Sequence, residues 1–336
     1  MRVLVTGASG FLGSYVVRAL VERGYSVVGT YRTPGKDRRV LELGARAVMM
    51  DLLNPETIKS AVRNVDAVIH LAAYYTFVGK KELYWKINVE GTRTLAEVAL
   101  DSGVRRFIYC SSTEAIGPVD NPPADETTQP NPQFEYGKSK LEAERVLGLL
   151  GRKGLEFTIV RPSGLYGPGN LEDVSYWFIV SFSRGGIYSK FMVGDGQTLV
   201  QFAHALDAAR AFVLALEKSS VSVGQTYIVS EDRAYTYAEV YRILGELVGR
   251  NPPRYSLPPK LAKVLLTFTE LYDTARRGEN LLYRRAIVDA VTKHRAYRID
   301  KAKRELGYYP VYDLRTGLRE TIDWYRSVGE LPKVGR

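Results

Sequence analysis

Sulfur and imidazole are scarce in this 336-residue chain, which has one cysteine, Cys110, and three histidines, His70, His204 and His294, far apart in sequence. A lone cysteine cannot close an internal disulfide, and no histidine has a second His or Cys at ligand spacing. Neither a disulfide framework nor a metal centre is therefore expected. Cys110 lies in an apolar strand and reads as a core residue, and His70 as a strand residue. No apolar run reaches the ~18 residues that a membrane-spanning helix needs. The chain enters a strand at once, without a basic leader or a small-residue cleavage site, so a cytoplasmic protein with no integral span is the expectation. There is also no P-loop and no Ser-His-Asp arrangement to carry other chemistries.

Positive charge, by contrast, is in excess: the formal balance is +10. Such a surface favours anions of some kind, among them a phosphorylated cofactor or an acidic substrate. Cations crowd between Arg276 and Arg304, including Arg276, Arg277, Arg284, Arg285, Lys293, Arg295 and Arg298. That stretch holds no recognisable DNA- or RNA-binding motif, so no nucleic acid partner is expected. Interspersed acids, Glu270, Asp273 and Glu279, make it read as a solvated helical face.

Short strand-like runs alternate with helical patterns along the first half: Arg2–Thr6, Ser26–Tyr31, Arg46–Met50, Ala67–Leu71, Arg106–Cys110 and Glu156–Arg161. Alternation of this kind predicts parallel β-α-β units in an α/β, doubly wound sheet of Rossmann type. Gly24 is placed to end the first helix, and Asn54-Pro55 to open another. The five prolines between Gly117 and Pro132 predict an exposed loop. After Arg161 the run RPSGLYGPGN breaks any helix. A helix over Asp207–Glu217 and a strand over Gln225–Val229 are predicted beyond it, with a helical tail from Pro252 onward. The division expected is a dinucleotide-binding domain over 1–162 plus about 201–230, and a smaller, mostly helical substrate lobe over about 163–200 and 231–330.

Two local patterns carry chemistry. The first strand runs into TGASGFLG, which spaces Gly7, Gly10 and Gly13 three apart at the mouth of a helix. Glycines let backbone approach a pyrophosphate closely, and the free N–H groups and positive end of the helix favour its charge. The second pattern is YGKSK, where Tyr136 and Lys140 stand one helical turn apart on one face. An ammonium beside a phenol favours the phenolate, so the pair could exchange a proton near neutral pH. The fifth strand ends in CSST, bringing hydroxyls to the same carboxyl edge of the sheet as the glycine turn.

Taken together, TGASGFLG, DLLNP at Asp51, IHLAA over Ile69–Ala73, INVEGT around Asn88, CSST, YGKSK and RPSGLYGPG resemble, in order, the extended short-chain dehydrogenases/reductases of the NAD-dependent epimerase/dehydratase superfamily. The resemblance extends through KAKRELGYYP and LRTGLRETIDWY. It implies that Tyr136 is the acid/base, that Lys140 tunes Tyr136 and binds the nicotinamide ribose, and that Ser112 hydrogen-bonds the reacting oxygen, with Ser111 and Thr113 as alternatives. It further implies a dinucleotide held by Gly7, Ser9, Gly10, Phe11, Leu12 and Gly13, by Tyr31 and Arg32, by Asp51 and Leu52, by Leu71, Ala72 and Ala73, and by Pro162 and Ser163. A homodimer is implied through the helices of Asn88–Asp101 and Tyr136–Leu149.

The segment VVGTYRTPGK has no acid where NAD-specific relatives keep one, while Arg32 and Lys36 could receive a 2′-phosphate, so NADP is the expected cofactor with NAD possible. Two reactions stay open. One is reduction or oxidation of a bulky, largely apolar ketone or alcohol, as in the 3β-hydroxysteroid dehydrogenase and dihydroflavonol reductase branches, which YCSSTEAIGP resembles. The other is a nucleotide-sugar 4-epimerase or 4,6-dehydratase, for which Glu114 stands where such enzymes keep an acid/base. Gly164 and Ile116 depart from the sugar-nucleotide pattern and favour the first. A catalytically silent NADP-binding regulator is a third possibility.

Small-molecule contacts are expected from Tyr74, Thr113, Glu114 and Tyr166, with Tyr75, Phe77, Tyr84, Trp85, Tyr176, Trp177 and Phe178 as further aromatic candidates for an apolar wall. The stretch Lys260–Tyr272 alternates cations with Leu and Phe at helical spacing. It could roof a pocket or lie on a membrane surface, and core packing is the reading that the sequence favours.

Overall fold

The computed structural model describes the whole chain apart from residues 77–78, 172–173, 187, 276–283 and 333–336. Phe77, Arg276, Arg277 and Glu279 lie outside the described residues.

Seven parallel strands form the central sheet. They are β1 (Arg2–Thr6), β2 (Ser26–Tyr31), β3 (Arg46–Met49), β4 (Ala67–His70), β5 (Arg106–Cys110), β6 (Glu156–Pro162) and a last strand, Thr226–Val229. Their order across the sheet is Thr226–Val229, β6, β5, β4, β1, β2, β3. From β1 the chain winds outward to β2 and β3 on one side, and from β4 outward on the other. The crevice between the carboxyl ends of β1 and β4 is thus the switch point where open α/β sheets bind ligands.

Alternation of side chains splits the apolar residues into two layers. Val3, Val5, Ile69, Ile108, Cys110 and Val160 pack beneath the helices Phe11–Glu22 and Ala205–Glu217. Leu4, Val68, Phe107, Tyr109 and Ile159 pack on the opposite face against the helices Pro55–Val62, Thr92–Asp101 and Glu135–Gly151. Burial on both faces explains why these strands read as continuous apolar runs. Helix ends follow the sequence signals. Gly24 adopts φ +79° after the first helix, and Asn54 caps the helix Pro55–Val62 by accepting from the Glu56 amide. A third core, built from Tyr176, Ile179, Phe182, Val240, Leu244, Leu318, Ile322 and Tyr325, joins the helices Val174–Arg184, Tyr237–Val248 and Leu314–Ser327.

Three segments depart from the expectations. The proline-rich stretch after β5 is only partly the exposed loop expected: Asp120, Asn121, Pro123, Thr127, Gln129 and Asn131 are exposed, but the stretch is also stitched to the C-terminal region. The Val119 amide donates to the His294 carbonyl and the Ala124 amide to that of Ala296, both at 2.9 Å, and both side chains are buried. Backbone donors that prolines leave without a regular ladder find partners in another segment here. The tail is not purely helical, because Tyr255–Leu257 pairs in parallel with Phe191–Val193. The helix Pro259–Ala275 does not pack its apolar stripe into the core: Leu261, Val264, Leu265, Phe268 and Leu271 are all exposed.

Candidate active site

The floor of the crevice is a hydrogen-bonded chain across the ends of β1 and β4. Thr6 Oγ1 accepts from the amides of Leu71 and Ala72, both at 3.1 Å, which leaves its own proton for His70 Nδ1 at 2.7 Å. His70 Nε2 then donates to Thr92 Oγ1 at 2.9 Å. Burial, with the Lys140 charge adding to it, lowers the His70 pKa to about 3, so the ring is a neutral spacer. His70 is therefore more than a strand residue: it fixes the backbone of Leu71–Ala72 against the glycine turn.

Each glycine of that turn has its own steric reason. A Cβ on Gly7, whose φ is +67°, would meet the Ala72 amide nitrogen at 3.0 Å. One on Gly13 would meet the Gly7 carbonyl oxygen at 2.1 Å, so the first helix can seat on β1 only with a hydrogen there. Gly10 is the N-cap of that helix and supplies no side-chain cap, and no acid lies in the first turn. The amides of the turn thus lack the anionic group that usually satisfies them, which suits a pyrophosphate. Arg39, which no local motif marks, reaches this mouth: its Nη2 lies 3.4 Å from Ser14 Oγ and close to Gly169. Arg32 and Lys36 are exposed at the end of β2, where a 2′-phosphate could meet them.

The helix Glu135–Gly151 carries Tyr136, Lys140 and Glu144 on one face, turned to the sheet. Lys140 is 1 % exposed, donates from Nζ to the Cys110 carbonyl at 2.7 Å, and stands 5.7 Å from the Tyr136 ring centre. Burial pulls its ammonium below the usual lysine value. Glu144 accepts from Arg161 Nε at 2.9 Å and Nη2 at 2.5 Å, a buried fork that ties the helix to β6. Ser111 donates to the same carboxylate and is buried. Gly137 lets the helix start touch the turn after β5, since a Cβ there would sit 2.2 Å from the Glu114 carbonyl oxygen.

Of the three candidate hydroxyls, then, Ser111 points into a structural ion pair and Thr113 is buried. Ser112 caps the turn Thr113–Ala115 by accepting from the Glu114 amide at 3.1 Å, which keeps its O–H proton available to an acceptor. Asn88 pins the neighbouring loop. Its Oδ1 accepts from the Tyr74 amide at 2.7 Å, and its Nδ2 donates to the Tyr74 carbonyl and to Ser139 Oγ, both at 3.0 Å. Asn88 lies in a widened π turn, Tyr84–Gly91, the kind of irregularity often found at functional sites. Tyr75 meets the Tyr136 ring edge-on at 4.9 Å.

The other expected residues divide. Asp51 is half-buried and turns the chain by accepting from the Leu53 amide at 2.9 Å, with Leu52 packed beside Gly91. Pro162 and Ser163 lie at the carboxyl end of β6, and Ser163 shares its hydroxyl with Ser230 at 2.7 Å. Glu114 is engaged by Arg295 at 2.6 Å, an ion pair across 181 residues that the sequence did not reveal. Tyr166 sits in the third core, 1 % exposed and donating to Glu231 at 2.7 Å, so its ring has no surface to offer a ligand. A cavity of about 300 Å³ elsewhere, lined by Gln201, Arg233, Tyr297 and Lys303 among others, contains none of the expected residues. Among the described residues no cluster of His, Cys, Asp and Glu could hold a metal ion, and no helix is long and apolar enough to cross a membrane.

Residues 3–230 match the model of the NAD dependent epimerase/dehydratase family, and the chain belongs to that family. It is 30% identical to a 2-alkyl-3-oxoalkanoate reductase of Stenotrophomonas maltophilia, over 95% of this chain and 98% of that protein. It is 28% identical to a 3-beta-hydroxysteroid dehydrogenase of Mycolicibacterium neoaurum, over 97% of this chain and 92% of the other. A dTDP-glucose 4,6-dehydratase of Streptomyces venezuelae, solved with NAD bound, superposes with a TM-score of 0.79 at 25% identity, covering 99% of both chains. The protein is thus an NAD(P)-dependent oxidoreductase of the extended short-chain dehydrogenase/reductase type, and its cofactor is a nicotinamide dinucleotide.

Proposed function

We propose that the protein interconverts a ketone and a secondary alcohol on a bulky, largely apolar substrate, with NADP as the preferred cofactor. The observation that carries this reading is the buried Lys140 ammonium, held by the Cys110 carbonyl beside the Tyr136 ring at the carboxyl edge of the sheet. The nicotinamide supplies or accepts the hydride when bound. In the reductive direction Tyr136 gives its phenolic proton to the carbonyl oxygen, and Ser112 donates a hydrogen bond to the same oxygen. Lys140 stabilises the phenolate that is left. Gly7, Ser9, Gly10, Phe11, Leu12 and Gly13 hold the pyrophosphate, while Asp51, Leu52 and Leu71–Ala73 line the adenosine side.

The ion pair with Arg295 supports the ketone reading over a sugar dehydratase, because the guanidinium occupies the Glu114 carboxylate, at 2.6 Å on Oε1, that a dehydratase would need free to reach its substrate. The names of the reductase and steroid dehydrogenase relatives point the same way. NADP preference rests on Arg32, Lys36 and Arg39 around the end of β2 and on the absence of an acid there. We further assign a cytoplasmic homodimer paired through the helices bearing Asn88–Asp101 and Tyr136–Leu149. A cofactor-linked absorbance screen tests the reading with steroid, β-keto acid and nucleotide-sugar candidates. Turnover of an apolar ketone or alcohol is expected, and turnover of nucleotide sugars alone would overturn it.

A further inference from the structure

The helix Pro259–Ala275 turns Leu261, Val264, Leu265, Phe268 and Leu271 to solvent, with Phe268 67% exposed, and Tyr272 is exposed beside them. At 100° per residue these six fall within one arc, and among the described residues of the helix the charged one at its edge is Lys260. The opposite side is the one that packs. Ala262 is buried, Lys263 pairs with Asp289 at 2.9 Å, and Glu270 pairs with Arg285 at 2.9 Å, both partners coming from the neighbouring stretch at Arg285–Thr292. The surrounding sequence is strongly basic: residues 251–300 hold ten Lys or Arg against five Asp or Glu, half of the chain's net charge.

We propose that this face docks onto an anionic lipid bilayer, the helix lying in the headgroup boundary with its apolar arc inward. A one-sided apolar stripe with Lys260 at its edge and aromatic residues among the anchors, in a segment of net positive charge, is what such a surface selects. A second copy of the chain is a poorer occupant, because two-fold pairing on this face would bring two basic segments against each other. The stretch beyond the helix reaches the active-site side. It donates Lys293 to Gln133 at 2.5 Å and Arg295 to Glu114 at 2.6 Å, both flanking the turn after β5 and the start of the Tyr136 helix. The docking does not depend on the substrate reading.

Flotation of the full-length protein with vesicles of phosphatidylcholine mixed with phosphatidylserine tests it. The wild type is expected to float with the mixed vesicles, more weakly at high salt and more weakly with phosphatidylcholine alone. Leu265→Glu/Phe268→Glu should reduce the floating fraction about tenfold, while Phe268→Leu should float like the wild type. Unchanged circular dichroism and cofactor binding would show that the double variant is folded. Failure of the folded wild type to float would overturn the proposal, and so would equal flotation of the double variant. A halving of the solution mass by that variant in the absence of lipid would overturn it in favour of self-association.

Discussion

Replacing Glu144 by glutamine would leave the Arg161 guanidinium buried without its counter-charge. The carboxylate takes two N–H donors from Arg161 and the Ser111 hydroxyl, and both charged side chains are 7% exposed. Screening by water is therefore slight. Breaking one side of such a pair costs about 3–5 kcal/mol, because the remaining charge keeps its desolvation penalty and loses its compensation. With roughly 2.1 cal/mol/K of unfolding entropy per residue, 336 residues convert that loss into a fall in Tm of about 4–7 °C. The double variant Glu144→Gln/Arg161→Met removes the orphaned charge and should recover more than half of the deficit, a coupling measurable in a double-mutant cycle by calorimetry or urea unfolding. A single variant within about 1 kcal/mol of the wild type, or a double variant no better than the single, would refute the claim that this fork fixes the Tyr136 helix on the sheet.

Gly13→Ala should abolish cofactor binding in fluorescence titration, since its Cβ has only 2.1 Å to the Gly7 carbonyl oxygen and neither is flexible. Arg32→Ala and Arg39→Ala should each raise the KM for NADP about tenfold and leave that for NAD nearly unchanged; a wild-type preference for NAD would end the assignment. Burial raises the Glu231 pKa to about 8, so between the unfolded carboxylate value and that figure the folded protein binds the extra proton. The associated stability is full at acidic pH and falls as pH rises toward about 8, by a few kcal/mol at most; Glu231→Gln should flatten the decline in Tm, and an unchanged slope would contradict it.

Much of this architecture can be read from the residue order. Five-residue apolar runs punctuated by Gly24 or Asn54-Pro55 specify β-α-β units locally, and strand alternation decides that Tyr109 and Cys110 face opposite layers. The glycine turn is legible because the close approach of Gly13 to Gly7 lies within seven residues, although the packing of Gly7 on Ala72 does not. What escapes is pairing over distance. Glu114 with Arg295, Asn88 with Ser139 and Glu144 with Arg161 come together only after the sheet is assembled. The choice among Ser111, Ser112 and Thr113 is of the same kind: nothing local says that Ser111 will be claimed by Glu144. Tyr166 and the Lys260–Tyr272 stripe depart from their sequence pattern in opposite senses, one expected at a ligand and found buried, the other expected in the core and found exposed. Composition alone cannot tell an inner apolar face from an outer one.

Stopped-flow measurement of hydride transfer with Tyr136→Phe, alongside titration of the same variant with NADPH, tests the central claim most directly. The substitution removes one oxygen and should lower the rate constant by at least about a hundredfold, while the affinity for the dinucleotide stays within about threefold of the wild type. Transfer at the wild-type rate would mean that the proton comes from another group and that the Tyr136–Lys140 chemistry is wrong.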